Sequence, residues 1–335
     1  MNSLYVPKDY APKLSSHDLQ LAIDCAKAAF QKEFSKALNL RRVSAPLFVS
    51  GASGMNDNLS GTERPVDFDI PAIGIKAEIV HSLAKWKRVA LKQYGFGVHE
   101  GLITDMNAIR RDEELDNIHS IYVDQWDWEK VITAEDRTPE YLKSVVTLIV
   151  NAVADVNDKL REKFPALSTE IKREISFVTS QELEDMYPDL TPEERENVFT
   201  KERGTVFIMQ IGDKLLSGKP HGNRAPDYDD WTLNGDILVW NEVLQRAFEL
   251  SSMGIRVDRK SMEEQLKKAG CEERRNQPYH QMLLNGELPL TIGGGIGQSR
   301  LCMLLLGCAH IGEVQSSLWD ADTVLKCKQH GIKLL

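Results

Sequence analysis

No run in the 335-residue chain approaches the roughly eighteen consecutive apolar residues of a membrane-spanning helix, so the expected reading has no membrane partner. The opening "MNSLYVPKDYAPK" lacks the apolar stretch of a secretory leader. The five cysteines, Cys25, Cys271, Cys302, Cys308 and Cys327, are odd in number and contain no C-x-x-C pair. Together these absences predict a reducing, cytoplasmic setting. Positive charge is also short: 41 Lys plus Arg stand against 50 Asp plus Glu, a net charge of -9. That balance disfavours general binding of nucleic acid, yet it leaves room for a local anion site. Fixed-period repeats and low-complexity linkers are missing as well, so nothing divides the chain, and residues 1–335 are expected to form a single catalytic domain. With 42% apolar residues, the chain can bury a core without disulfides or metals.

What is present has a mixed period. Leu19, Ile23, Ala26, Phe30, Phe34 and Leu38 recur at helical spacing after a cap candidate at Ser15 or Ser16. A second helix follows Pro139 with Leu142, Val145, Val146, Ile149, Val153, Val156 and Leu160, and Pro165 ends it. Strands are predicted at 77–82, 101–110, 174–179, 204–212, 235–241 and 248–257, with one acidic helix over 180–196 and a charged helix over 261–275. "LAKWKRVALKQYG" after residue 82 reads as a helix that could begin as a loop. Strands in consecutive runs predict an α+β fold, an antiparallel mixed sheet with helices packed to one side rather than regular βαβ winding.

The stretch "TIGGGIGQSRL", 291–301, places Gly293, Gly294, Gly295 and Gly297 just before Arg300. It fails the phosphate-loop pattern, because Gln298 follows the last glycine where a lysine belongs. It also fails the dinucleotide pattern G-x-G-x-x-G, because Gln298 or Arg300 stands at the third glycine. What remains is a strand running into a helix that begins near Gln298, with Arg300 in its first turn. Bare backbone would let a flat group lie close, while the helix start and the guanidinium would attract an anion. A tight turn with a surface arginine is the plainer alternative.

A second stretch, "IRRDEELDNIHSIYVDQWDWE", holds Arg110 and Glu113 three apart, which by themselves would also suit a surface ion pair. In the strand that follows, alternation places Tyr122, Asp124 and Trp126 on one face and Val123, Gln125, Asp127 and Glu129 on the other. A buried face carrying Gln125, Asp127 and Glu129 is costly without partners, which points to a ligand.

The R-x-x-E of Arg110 and Glu113, the loop to His119, and the G-x-G-x-x-R of Gly295, Gly297 and Arg300 resemble motifs 2 and 3 of the class II aminoacyl-tRNA synthetase catalytic domain. More specifically, "DNLSG" (57–61), "HSLAKWKR" (81–88), "HSIYVDQWDWE" (119–129), "RAPDYDDW" (224–231), "LNGDILVWN" (233–241), "FELSSMGIRVD" (248–258) and "TIGGGIGQSRL" are similar to the aspartate-ammonia ligases, the ammonia-dependent asparagine synthetases A. The resemblance implies an antiparallel sheet flanked by helices, a homodimer, and conversion of aspartate, ATP and ammonia to asparagine, AMP and diphosphate through β-aspartyl-adenylate.

On that reading Arg110 contacts the α-phosphate and the substrate carboxylate, Arg300 lies near the adenine or γ-phosphate, and Glu113 accepts from the adenine amino group or orients an arginine. His119, Arg224, Asp229, Gly295 and Gly297 complete the expected nucleotide site. Asp236 and Glu249, on adjacent predicted strands, are the candidate Mg²⁺ ligands; alternatively Asp236 caps a turn after Asn234 and Gly235. The aspartate α-ammonium calls for Asp127, Gln125 or Asp57, and its α-carboxylate for Lys87 or Arg256. Lys87 could instead belong to the solvated side of a basic helix with Lys85 and Arg88. Ser82 and Ser252 are candidate donors to carboxylate or phosphate. Asp57 or Asp229 would take the proton from ammonium. The chain begins Met1, Asn2, Ser3 and shows no nucleophilic cysteine for glutamine hydrolysis, so free ammonia is the expected nitrogen source. A tRNA-charging enzyme would share Arg110, Glu113 and Arg300 but should add an RNA-binding domain. The passage from "SGKPHGNRAPDYDDW" to "TLNGD" leaves a short loop between Trp231 and Asn234, and with it a short lid.

Overall fold

Two periodicities, 2 along the strands and about 3.6 along the helices, sort the chain into layers. The computed structural model describes residues 4–57 and 63–335, so most of the "DNLSG" block lies outside the described residues. The strands are β1 (Leu40–Arg42), β2 (Phe48–Ser50), β3 (Asp67–Ile70), β4 (Ile75–Ile79), β5 (Gly101–Ile109), β6 (Tyr122–Val131), β7 (Ser176–Thr179), β8 (Thr205–Met209), β9 (Asp229–Asn241), β10 (Arg246–Arg256) and β11 (Thr291–Gly297). The helices are α1 (Ser16–Leu38), α2 (Ala84–Gln93), α3 (Pro139–Lys163), α4 (Ser180–Met186), α5 (Pro192–Arg203), α6 (Arg259–Lys268), α7 (Pro278–Leu284), α8 (Gln298–Leu305) and α9 (Ala321–Gln329).

The large sheet runs β1-β5-β6-β11-β10-β9-β8-β7. Its six central strands are antiparallel, and only the outer pairs β1 with β5 and β7 with β8 are parallel. This is the expected α+β arrangement, a mixed sheet flanked by helices. A small sheet, β2-β4-β3, stands apart from it.

Local chemistry explains the helix ends. Ser15 caps α1 by accepting from the Asp18 N–H, and Asn39 ends it in the left-handed conformation with φ 57°. Thr138 caps α3, and Pro139 sits in its first turn, where the missing N–H costs nothing. The single acidic helix expected over 180–196 is instead two, because Pro188 ends the first, capped by Thr179 with Glu182, and a second capping box, Thr191 with Glu194, starts another with Pro192 in its first turn. The charged helix expected to reach 275 stops at Lys268, with Gly270 at φ 66° just beyond, and a 3-10 turn follows. The strand expected over 204–212 ends at Met209, since Gln210 takes φ 65°.

One face of the sheet carries the main core. Phe30 and Phe34 of α1 lie against Trp126 and Trp128 of β6, with ring centroids 4.8 and 5.8 Å apart, and α3 and α8 extend this layer. Helices are not confined to that side. Lys87 of α2 bonds to the opposite face, where its Nζ meets the Gly294 carbonyl at 2.9 Å. The sequence expectation of one-sided packing fails here because α2 packs Ala90 and Leu91 with Leu102 of β5 and Val131 of β6 while also bringing buried cations to the sheet.

Candidate active site

On the face away from Trp126 and Trp128, the alternation of β6 presents Gln125, Asp127 and Glu129. Register then assembles a row across the sheet. Asp127 stands opposite Gly295, which stands opposite Ser252, which stands opposite Asp236. Above this floor is a cavity of about 340 Å³, lined among others by Asp57, Ser82, Lys87, Arg110, Glu113, His119, Gln125, Asp127, Arg224, Asp229, Glu249, Ser252, Arg256, Gly295, Gly297 and Arg300. Of the candidate site residues, Asp236 is the one set back from the wall. Arg110 and Arg300, far apart in sequence, face the same space.

The glycines do not form the bare platform that the sequence suggested. A Cβ on Gly295 would stand 2.5 Å from Gln125 Oε1 and 2.7 Å from Asp127 Oδ1, and one on Gly293 would stand 2.0 Å from Glu129 Oε2. Gly297 is backed by Arg300 itself, whose Cβ would lie 3.1 Å away. The missing side chains therefore make room for carboxylates and an amide lying along the floor. Gly294, which the sequence reading did not single out, contributes its carbonyl to Lys87.

Charges alternate along that floor. Lys87 Nζ lies 3.3 Å from Asp127 Oδ1 and 4.0 Å from Glu129 Oε2. Arg256 is clamped by Glu129, with Nη2 2.9 Å from Oε2, and its Nη1 donates to Asp229 Oδ1. Asp229 Oδ2 is 3.9 Å from Arg224 Nε, and Arg224 Nη2 donates to Asp236 Oδ1. Thr291 Oγ1 adds a 2.7 Å bond to Glu129 Oε1. Each buried charge has an opposite neighbour, the condition under which such burial is tolerated. Burial lowers the Lys87 ammonium below the ordinary lysine value, with Asp127 opposing. For Glu129, burial acts upward but Arg256 and Lys87 prevail, and the carboxyl sits below its usual range.

The alternative that Lys87 lies on a solvated helix face fails, because Lys85, Lys87 and Arg88 are all buried. Arg88 donates to the carbonyls of Pro289 at 2.8 Å and Val257 at 2.7 Å, and Lys85 pairs with Asp227. The turn-cap alternative for Asp236 fails too. Residues 231–234 belong to the continuous strand β9, so the supposed short loop between Trp231 and Asn234 does not exist.

Arg110 forms a 3.7 Å ion pair with Glu113, and its Nε is buried with no hydrogen-bond partner among the described residues. Such a donor suits an anionic ligand. Arg300, at the start of α8, lies 3.8 Å from Glu249 Oε1. His119 is oriented by Asp116, whose Oδ1 meets Nδ1 at 2.9 Å and also accepts the backbone N–H groups of Ile118 and His119. Burial would raise the Asp116 carboxyl, but His119 and those N–H groups bring it down to about 2.

Asp236 and Glu249 converge on one hydroxyl, with Ser252 Oγ 2.7 Å from Asp236 Oδ1 and 3.1 Å from Glu249 Oε1. That hydroxyl has a single proton to give, so the second contact needs a shared proton or a cation. Burial, with the Glu249 charge adding to it and Arg224 opposing, pushes the Asp236 carboxyl up to about 6. Two hard oxygen donors placed this way fit a magnesium ion that completes its shell with phosphate and water. Arg224 would share or yield its place on Asp236.

Sequence reasoning missed several wall residues. Tyr228 stands beside Asp57, and burial together with that charge keeps its phenol far above the ordinary value, hence protonated. Asp124 was assigned to the far face. It stays on that side, where it pairs with Lys27 of α1 at 3.1 Å and caps α8, accepting from Ser299 N–H at 3.1 Å and Ser299 Oγ at 2.8 Å. Gln315 joins it at 3.1 Å from a segment with no motif at all. Glu129 sat in the quoted strand, and the cost of burying it was the signal that could have promoted it.

Comparison with known proteins identifies the family and the fold. The family profile of aspartate-ammonia ligase matches residues 17–331. The aspartate-ammonia ligase of Limosilactobacillus reuteri is 59% identical over 334 residues, covering 99% of both chains, and that of Ligilactobacillus salivarius is 60% identical over 336 residues, again 99% of both. Among solved structures, asparaginyl-tRNA synthetase from Pyrococcus horikoshii complexed with asparaginyl-adenylate superposes with a TM-score of 0.63 at 14% identity, over 90% of this chain and 68% of that one. The fold is thus that of a class II aminoacyl-tRNA synthetase catalytic unit, and the chain belongs to the aspartate-ammonia ligase family.

Proposed function

We propose that the chain converts L-aspartate, ATP and free ammonia to L-asparagine, AMP and diphosphate through β-aspartyl-adenylate. The observation that carries the reading is the convergence of Arg110, Arg300, Arg256 and Lys87 with Asp57, Asp127 and Glu249 on one cavity. A carboxylate is a poor acyl donor, and joining it to AMP supplies a leaving group. Arg110 draws the β-carboxylate and the α-phosphate together, so that a carboxylate oxygen attacks phosphorus and diphosphate departs. Arg300 steadies the distal phosphates or the adenine, with Glu113 and His119 at the same end and Arg224 and Asp229 beneath. The strand and helix around Gly295 and Gly297 complete that side.

Lys87 and Arg256 hold the α-carboxylate of aspartate, Asp127 and Gln125 its α-ammonium, and Ser82 and Ser252 donate to carboxylate or phosphate oxygens. Asp236 and Glu249 would hold Mg²⁺, which when bound offsets phosphate charge. In the second half, ammonium loses a proton to Asp57, ammonia attacks the acyl carbon, and the bond to the phosphate oxygen of AMP breaks. Asp229, whose two oxygens face Arg256 and Arg224, is the second candidate for that proton. The similarity over 99% of the length of relatives supports one catalytic unit over 1–335. A homodimer follows from the family resemblance and a cytoplasmic setting from the cysteine pattern.

Product analysis with aspartate, ATP, Mg²⁺ and ammonium tests the reading. AMP, diphosphate and asparagine should appear in equal amounts without tRNA. ADP and phosphate would mean an acyl-phosphate route and would sink the adenylate.

A further inference from the structure

Behind the Asp57 wall lies a buried charged cluster whose members stand outside the cavity lining. Asp227 Oδ2 receives Lys85 Nζ at 3.1 Å and His280 Nε2 at 3.0 Å, with Arg274 Nη1 at 3.6 Å. Lys85 Nζ also reaches the Asn56 carbonyl at 3.4 Å. Asn56 is a hub. Its Oδ1 accepts the Asp57 N–H at 3.0 Å and the His81 N–H at 2.9 Å, while its Nδ2 donates to the Ile79 carbonyl at 3.3 Å and to Glu78 Oε2 at 3.2 Å. His81 Nδ1 closes the ring by donating to the Asp57 carbonyl at 3.2 Å. At the other end, Asp227 immediately precedes Tyr228 and Asp229, two further residues of the cavity wall. The cluster therefore ties the segment that carries Asp57 to the segment that carries Tyr228.

Stability does not account for such a device. A buried ion pair returns little once desolvation is counted, and apolar side chains of similar volume would serve as well. This one also leaves Asp227 Oδ1 and His280 Nδ1 buried without hydrogen-bond partners among the described residues. Burial would raise the Asp227 carboxyl, yet the His280 and Lys85 contacts hold it well below the usual range, so the anion persists at neutral pH. Directional hydrogen bonds to a fixed anion set the relative placement of the two segments more sharply than dispersion contacts could.

We propose that Asp227, gripped by Lys85 and His280, is a positioning residue for the ammonia half of the reaction, locking the Asn56 hub to the Tyr228 wall so that the Asp57 carboxylate faces the acyl carbon. The inference rests on Asp57 as the group that takes the ammonium proton. In that step an N–H bond of ammonium breaks and the proton passes to the carboxylate. The nitrogen lone pair then forms the C–N bond as the acyl carbon releases AMP, and the second N–H proton leaves the new amide nitrogen for the departing phosphate.

The test separates the two half-reactions. For Asp227→Asn, the KM for ammonium should rise on the order of 10–100-fold, while aspartate-dependent ATP–diphosphate exchange without ammonium stays within about threefold. In Lys85→Arg, which keeps the charge, the ammonium KM should rise much less. Equal loss in both half-reactions, or an unchanged ammonium KM, overturns the inference. If Asp227→Asn does not fold, the double variant Lys85→Met, Asp227→Leu restores an apolar packing, and a wild-type ammonium KM in it likewise overturns the idea. Asp57→Asn runs in parallel. Should it slow the ammonium step while Asp227→Asn does not, the positioning role fails alone. Should Asp57→Asn be silent, the proton acceptor is misassigned, and the inference falls with it.

Discussion

The two faces of β6 come from the same ten residues and follow opposite rules. Trp126 and Trp128 look into the core, ring against ring with Phe30 and Phe34, and demand only volume and apolarity. Gln125, Asp127 and Glu129 look the other way, onto Lys87 and Arg256, and demand charge, direction and the absence of neighbouring side chains. One face stabilises the fold with area. The other spends part of that stability to keep ionised groups poised in a partly dry cleft. A face of that kind is tolerated because a good core lies directly behind it.

Breaking each face in turn should separate the two roles. Trp126→Ala removes a fully buried indole and is expected to cost about 3–5 kcal/mol, read as a fall in the urea midpoint, while exchange activity per folded molecule survives. Arg300→Ala should do the reverse. Its aspartate-dependent ATP–diphosphate exchange should drop on the order of 10²-fold, equivalent to about 2.7 kcal/mol, at nearly unchanged midpoint. If Trp126→Ala abolished exchange in the folded fraction, or Arg300→Ala unfolded the protein, the division between faces would be wrong.

The same contrast explains what the sequence disclosed. Period-2 alternation around "DQWDWE" placed the tryptophans and the carboxylates on opposite sides, and the helical stripe from Leu19 to Leu38 marked the layer behind them. Both are local signals. Legible too were Arg110 and Arg300, because their flanking residues form motifs. The failures share a cause, which is that the deciding partner lies far along the chain. "LAKWKR" has the look of a solvated basic helix, and only Asp227, Gly294 and Pro289 reveal its cations as buried. The glycines looked like an open platform because nothing nearby says that Gln125 and Glu129 lie over them. Gln315 had no local mark whatever, since its role exists only through Asp124 and Ser299.

Gly293 is where the two faces' rules can be set against each other in one substitution. An added methyl would stand 2.0 Å from Glu129 Oε2 and 2.7 Å from Arg256 Nη2, inside the bidentate clamp. Gly293→Ala is expected to cost about 1–3 kcal/mol by overpacking. It should also weaken aspartate binding more than ATP binding, since Arg256 must shift, and separate titrations of the two ligands would show it. Equal weakening would mean that Arg256 does not serve the amino-acid end.

The smallest expected effect concerns Asp116, which orients His119 at the rim of the polar face. Its carboxyl lies at about 2 in the fold against 3.8 ordinarily, so the ionised form is favoured by folding. For a carboxyl lowered in this way, the native state binds fewer protons than the unfolded chain between those two values. The contribution is therefore complete above pH 3.8 and is lost as pH falls through about 2. Its size is at most about 2 kcal/mol, and partial exposure of the side chain reduces it further. Urea midpoints of the native protein and of Asp116→Asn, measured from pH 6 downward, should differ by a nearly constant amount near neutrality and converge in acid. Trp126→Ala, acting on the apolar face, should show an offset that does not change over the same range, because no proton is linked to it. A midpoint difference for Asp116→Asn that stayed constant into acid would place His119 under some other control than this carboxylate.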